Sequence, residues 1–226
     1  TLLFLCLTLA YSCYSQTTPK QTLADSTLTL QQQVDMQLPL EPKDSILKID
    51  ELRNVSLQSV LDKEINKNAV WKGLVAKELM AVGIVDLTDL NNIKYAGIND
   101  NNMMYAASLP KIAVLLAAMD AIDKGELEDS KEIQKDMKLM ISKSNNAATT
   151  RMIDRVGYEK IEEVMRAPKN ELYDEETGGG LWVGKRYGGG GDTNREPLKN
   201  LSHAATTKQV CSFYYQLVMG NLVSDE

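Results

Sequence analysis

Ser108 and Lys111 stand three positions apart in the stretch "YAASLPKIAVLLAA", and they are the residue types at a spacing that could do covalent chemistry. Residues three apart share a helix face, so a lysine amine can reach a serine hydroxyl one turn back. The amine takes that proton only when neutral, which requires burial or a neighbouring cation to lower its pKa. The apolar run after Lys111 would supply burial. Pro110 suits a first helical turn, where its missing N–H costs nothing, and a helix N-terminus beside Ser108 favours developing negative charge. An equally physical alternative is a serine that merely caps a core helix. Ser45 and Lys48 form the same S-x-x-K pattern at the edge of a polar tract, so context has to separate the two.

A second polar group, Ser144-Asn145-Asn146, interrupts a helical stretch. A hydroxyl at Ser144 could relay a proton to a leaving group, and an amide at Asn146 could hold a substrate carbonyl. Serine and asparagine are also common turn formers, and that reading stays open. The single histidine, His203, has neither a partner histidine nor a cysteine cluster. No metal site and no cofactor are expected, and a base for Ser108 must come from somewhere other than a Ser-His pair.

The elements that must position these residues follow from periodicity. In "SLQSVLDKEINKNAV" the apolar Leu57, Val60, Leu61 and Ile65 recur at helical steps and predict a buried stripe. "AKELMAVGIVDLTD" and "IKYAGIND" read as two strands of a hairpin. "KIAVLLAAMDAIDKGEL" is apolar on nearly every side, a central helix. Helical character continues through "SKEIQKDMKLMISKSNNAATTRMIDRVG" and "YEKIEEVMRAPKN", stopped by Pro168. The stretch "TGGGLWVGKRYGGGGDTNREPLKN" reads as a glycine-permitted loop, and "TTKQVCSFYYQLVMGNLV" as a last helix. Cys211, in that helix, is expected to be a buried small hydrophobe.

This order of helix, hairpin, "YAASLPK", buried helix, "SKSNNAATTRMIDRVG" and glycine-bearing loop resembles the class A β-lactamase and penicillin-binding serine hydrolase family, over roughly residues 50 to 226. The resemblance implies an α+β fold: an antiparallel sheet covered by terminal helices, plus a small all-α subdomain carrying the nucleophile. It implies that Ser108 is acylated and that Lys111 is the base of the S-x-x-K motif. Ser144 and Asn146 match the outer residues of the S-D-N motif, with Asn145 in place of the aspartate. In "NREPLKN", Glu196, Pro197 and Asn200 fit the E-P-x-x-N spacing of the family's omega loop, which implies that Glu196 and Asn200 hold a deacylating water. Asn194 stands where an arginine usually pins that loop, and a surface glutamate before a proline turn is the alternative for Glu196. No K-[ST]-G occurs in the chain.

The remaining features bound the setting. A net charge of -6 offers no basic face for nucleic acid. "TLLFLCLTLAYSCYSQ" has an apolar run followed by small and polar residues, the pattern of a secretory signal, and it is too short to span a bilayer. Residues 1 to 15 are therefore expected to be the remnant of an export signal, 16 to 44 a flexible Gln-, Thr- and Pro-bearing linker, and 45 to 226 the hydrolase domain. Cys13 is a candidate lipidation site. The missing methionine and the missing K-[ST]-G lead to the expectation of a reading frame cut at both ends. The protein is expected to be a monomer, periplasmic or secreted, acting on a β-lactam or peptidoglycan-like small molecule. A D,D-peptidase and a non-catalytic binding module of the same fold are the rivals.

Overall fold

The structure, a computed structural model, describes residues 46–222 together with the backbone of Leu3–Leu9. The linker assigned to 16–44 and the candidate lipidation site Cys13 lie outside the described residues, as does Ser45 of the second S-x-x-K pattern.

Asn54 accepts the Leu57 N–H and so caps α1 (Val55–Lys67), and Asn68 ends that helix while capping α2 (Ala69–Ala76) with two N–H bonds to its side chain. The expected stripe is narrower than its periodicity suggests. Leu61 and Ile65 are buried and Leu57 is partly covered, but Val60 is 58% exposed. The sheet contacts only one edge of the helix, and Val60 lies outside it.

The hairpin forms as expected from β2 (Met80–Asp86) and β3 (Lys94–Ile98), antiparallel with Val82 opposite Ile98. The period of two divides β2 between its faces. Met80 and Val82 pack with Leu61 and Ile65 of α1, whereas Val85 joins Tyr95 and the last helix, α7 (Thr207–Val218). At Gly83 a Cβ would come within 2.7 Å of the Cys211 sulfur, which makes room for the close approach of α7. Cys211 is buried there, as expected.

β1 (Leu3–Leu9) pairs antiparallel along the other edge of β2, from Leu3 opposite Asp86 to Leu9 opposite Met80. This run falls in the stretch expected to be an export-signal remnant, and its backbone meets the N–H and C=O groups along that edge of β2.

Four helices make the second half of the core: α3 (Lys111–Asp123), α4 (Lys131–Ser142), α5 (Asn146–Val156) and α6 (Tyr158–Arg166). α3 is central, with Ala113, Val114, Ala117 and Ala118 buried, and α4 to α6 pack around it through Met140, Met152, Ile153 and Met165. Small residues along α3 allow that close packing. The chain is thus an α+β protein, an antiparallel sheet with helices on both faces and an adjoining helical unit.

The glycine-bearing stretch is not simply a loop. β5 (Tyr173–Asp174) pairs with β6 (Gly179–Gly180), and β7 (Trp182–Val183) pairs with β8 (His203–Ala205), which also pairs with β4 (Met104–Tyr105). Gly180 is required by contact, since a Cβ would lie 2.0 Å from the Leu172 carbonyl oxygen. Leu181, Trp182 and Val183 are fully buried core residues. Glycine content hid a buried run only three apolar residues long.

Ionic clusters join the parts. Arg53 bridges Asp50 at 3.0 Å and Asp100 at 2.7 Å, while Lys208 reaches Asp50 at 2.9 Å, tying α7 to the 3-10 turn Ile49–Leu52. Asp136 of α4 accepts two bonds from Arg151 and one from Arg155 of α5.

Candidate active site

Three segments converge on Lys111. The first is the turn that precedes α3. Ser108 does not cap that helix: Pro110 holds the N-cap position with no side-chain bond, and the helix starts at Lys111. The Lys111 N–H reaches the Ser108 carbonyl at 3.2 Å and Ile112 N–H reaches Leu109 at 3.3 Å, a tight i to i+3 pattern. Such turns eclipse side chains three apart, which keeps Ser108 and Lys111 on one side. Ala107, just before the serine, has φ of 47°, a left-handed value that costs an alanine about 1 kcal/mol. Backbone bonds from Ala106 N–H to the His203 carbonyl and from Leu109 N–H to the Ala106 carbonyl hold the turn from either side. Among the described residues no acceptor faces the Ser108 N–H, and no hydrogen bond engages its exposed hydroxyl.

The second segment is the turn between α4 and α5. Its three residues divide the work. Ser144 sits at φ 50°, a second strained residue. Asn145 caps α5, its side chain accepting the Ala148 N–H at 2.8 Å. Asparagine and aspartate are near-equivalent caps, which explains physically why Asn145 can occupy the place of the motif's aspartate. Asn146 opens the helix with its side chain turned to Lys111.

The Lys111 amine donates to the Ser144 carbonyl at 2.6 Å, the Ser144 hydroxyl at 2.9 Å and the Asn146 amide oxygen at 2.8 Å. Three N–H groups meet three acceptors, the satisfied state of an ammonium. Lys111 is only 3% exposed, and burial lowers its pKa. No carboxylate is hydrogen-bonded to it to oppose that shift. In the neutral amine, two N–H groups remain and a lone pair appears, and the Ser144 hydroxyl can reverse its bond and donate to that lone pair. The cluster therefore accommodates both protonation states with the same heavy atoms. Lys48, of the second S-x-x-K pattern, is instead exposed and paired with Glu171.

The third segment was not anticipated. Tyr187, in the loop after β7, places its ring 4.7 Å from the Lys111 nitrogen and donates its hydroxyl to the Ala107 carbonyl at 3.0 Å. His203 stacks on it with centroids 4.1 Å apart and planes 10° from parallel. His203 is buried, and among the described residues neither ring nitrogen has a hydrogen-bond partner. Burial above all, then Lys185, Lys111 and Arg195, push its pKa down to about 4, so it is neutral at neutral pH. An aromatic residue between "GKR" and four glycines was the only sequence signal for Tyr187.

Glu196 and Asn200 are not joined to this cluster. The Glu196 carboxylate is 1% exposed and accepts from the Tyr173 hydroxyl at 2.5 Å, the Leu198 N–H at 2.9 Å and the Lys199 N–H at 2.6 Å. It braces its own loop and is no surface glutamate. Asn200 is an exposed turn residue at φ 55°, donating its N–H to the Glu196 carbonyl and accepting Arg195 at its own. Asn194 does pin the loop: its side chain donates to Glu162 at 3.1 Å and its carbonyl accepts the Trp182 indole N–H at 2.6 Å. Among the described residues no group of three or more His, Cys, Asp or Glu is placed to hold a metal, and no helix is long and apolar enough to cross a membrane.

No curated protein matches the chain. A solved β-lactamase from Sphaerobacter thermophilus DSM 20745 is 19% identical over 58% of this chain, with a TM-score of 0.46. The aligned part spans 54% of that protein, about half its length. The model of the β-lactamase enzyme family matches residues 61–138, about a third of the chain. That segment runs from within α1 to within α4 and includes both Ser108 and Lys111, and over it the chain is similar to the β-lactamase enzyme family.

Proposed function

We propose that this protein is an exported serine hydrolase, periplasmic or secreted, that opens a β-lactam or related amide through an acyl-enzyme on Ser108. The observation that carries the reading is the Lys111 amine, buried, held by Ser144 and Asn146, and one tight turn from an unengaged serine hydroxyl. In this reading Lys111, in its neutral form, takes the Ser108 proton as the oxygen attacks the carbonyl carbon. The unpartnered Ser108 N–H stabilises the oxyanion. The C–N bond then breaks, and the proton passes from Lys111 through the Ser144 hydroxyl to the leaving nitrogen. Asn146 positions the substrate carbonyl or side-chain amide. Water finally cleaves the ester and restores the Ser108 hydroxyl.

Intact-mass measurement after incubation with a penicillin tests the proposal. The expected result is one added penicillin in the parent protein and none in Ser108→Ala. No adduct and no opened penicillin with the parent protein, or an adduct that survives the substitution, would overturn the nucleophile assignment and favour a non-catalytic binding module.

One observation favours a penicillin-binding D,D-peptidase over a β-lactamase. Glu196, the residue expected to activate the deacylating water, has its carboxylate committed to Tyr173, Leu198 and Lys199. A slow final step would leave the adduct in place for minutes or longer. Rapid return of unmodified protein with release of the opened penicillin would instead identify a β-lactamase.

A further inference from the structure

We propose that Tyr187 is a positioning residue for both working groups, its hydroxyl holding the turn that presents Ser108 and its ring holding the Lys111 ammonium. This rests on the reading of Ser108 and Lys111 as nucleophile and base. The hydroxyl bonds the Ala107 carbonyl at 3.0 Å, the peptide that joins the strained residue to the serine. A left-handed alanine persists only where its surroundings hold it, and among the described residues this is the one side-chain bond to that peptide. The same ring lies 4.7 Å from the Lys111 nitrogen. A cation at that distance is attracted to the ring's negative face.

Tyr187 is itself fixed. His203 stacks on its ring, and its own carbonyl accepts the Thr150 hydroxyl at 3.2 Å, linking it to α5. Buried, its phenol stays protonated at neutral pH and remains a donor to Ala107, since burial and nearby Tyr105 both raise its pKa. The groups around Lys111 that could titrate or carry charge are Tyr187 and His203, with Lys185 and Arg195 beyond His203 and Tyr105 beyond Tyr187. His203 is neutral above about pH 4, so the ring is the neighbour that favours the charged amine. Removing it should lower the pKa of Lys111.

The test combines two readouts. In protein labelled with 13C at lysine Cε, the Lys111 titration is followed in the parent, Tyr187→Phe, Tyr187→Leu and Tyr187→Met. The midpoint should fall by about half to one pH unit in the Leu and Met variants and hold in the Phe variant. Met is included because its longer, unbranched side chain can follow the ring's path if Leu disturbs the fold. An unmoved or raised midpoint in both ringless variants overturns the proposal for the ring. In the second readout, Tyr187→Phe should acylate with penicillin about five- to tenfold more slowly, with Lys111 titrating as in the parent. An unchanged rate overturns the proposal for the hydroxyl. If the parent protein forms no adduct and opens no penicillin, the acyl-enzyme reading fails by itself, and the lysine titration still decides the role of Tyr187.

Discussion

Replacing Asp136 by asparagine should loosen the hairpin that delivers Ser144 and Asn146, and its size can be worked from the charges. The carboxylate is nearly buried and meets Arg151 at 2.5 and 2.9 Å and Arg155 at 2.6 Å. The Arg151 hydrogen bonds, with those of Arg155, outweigh the cost of burial and hold the Asp136 pKa down to about 2, from an ordinary 3.8. One pKa unit corresponds to roughly 1.4 kcal/mol. Arg151 is 47% exposed and solvent screens its share, which reduces the contribution to about 1–2 kcal/mol. For a chain of this size that is a loss of roughly 3–6 °C in melting temperature. The sign follows from the depressed value. The stabilisation is complete above the unfolded pKa near 4 and disappears as pH falls through about 2. Both arginines stay charged throughout, so melting curves of the parent and Asp136→Asn isolate this carboxylate. The gap between them should be constant from pH 7 to 5 and narrow steadily below about pH 4. A gap that persists unchanged at pH 2.5, or no gap at pH 7, would refute the argument.

Two further substitutions separate bracing from chemistry. Glu196→Ala strands the buried Tyr173 hydroxyl and removes the acceptor of the Leu198 and Lys199 N–H groups, and should cost roughly 3 kcal/mol, seen as a clear drop in melting temperature by scanning calorimetry. A variant that melts with the parent but holds its penicillin adduct longer would show instead that Glu196 serves deacylation. At the cap of α5, Asn145→Ala should cost about 1 kcal/mol in urea unfolding, while Asn145→Asp should be nearly neutral because either side chain can accept the Ala148 N–H. An aspartate as damaging as alanine would remove the capping explanation.

What the sequence made legible was whatever periodicity and local chemistry determine. The hairpin, the central helix and the break at Ser144 to Asn146 followed from alternation, apolar density and polar interruption. The cluster of Lys111, Ser144 and Asn146 was also legible, because resemblance supplied the long-range pairing that spacing alone cannot. Three features were not. Val60 fits the helical stripe yet faces solvent, since periodicity gives the direction of a face and not how far its neighbour extends. β6 and β7 were hidden because a two-residue strand has no period to detect, and Gly180 reports a close contact with Leu172 rather than a turn. Tyr187 was invisible because its importance lies in contacts with Ala107 and Lys111, far away along the chain, the first of them 80 residues off.

That last omission bears on how the site is built. Ser108 and Ser144, the proposed nucleophile and proton relay, sit next to or at a left-handed non-glycine residue, Ala107 and Ser144, each held from outside its own turn. Tyr187 holds the Ala107 carbonyl, and Lys111 holds that of Ser144 at 2.6 Å. The lysine therefore carries a structural task besides its chemical one. When its proton leaves, it still has two N–H groups, enough for the Ser144 carbonyl and the Asn146 amide, and the bond it gives up is the one to the Ser144 hydroxyl. The strained turn can thus be kept through both protonation states, while the hydroxyl is released to turn toward the amine or the leaving group. A substitute such as Lys111→Gln, which can donate to only two acceptors and cannot change charge, would preserve the turn and abolish acylation. If that variant melted far below the parent, charge rather than hydrogen-bond count would be what holds Ser144 in place.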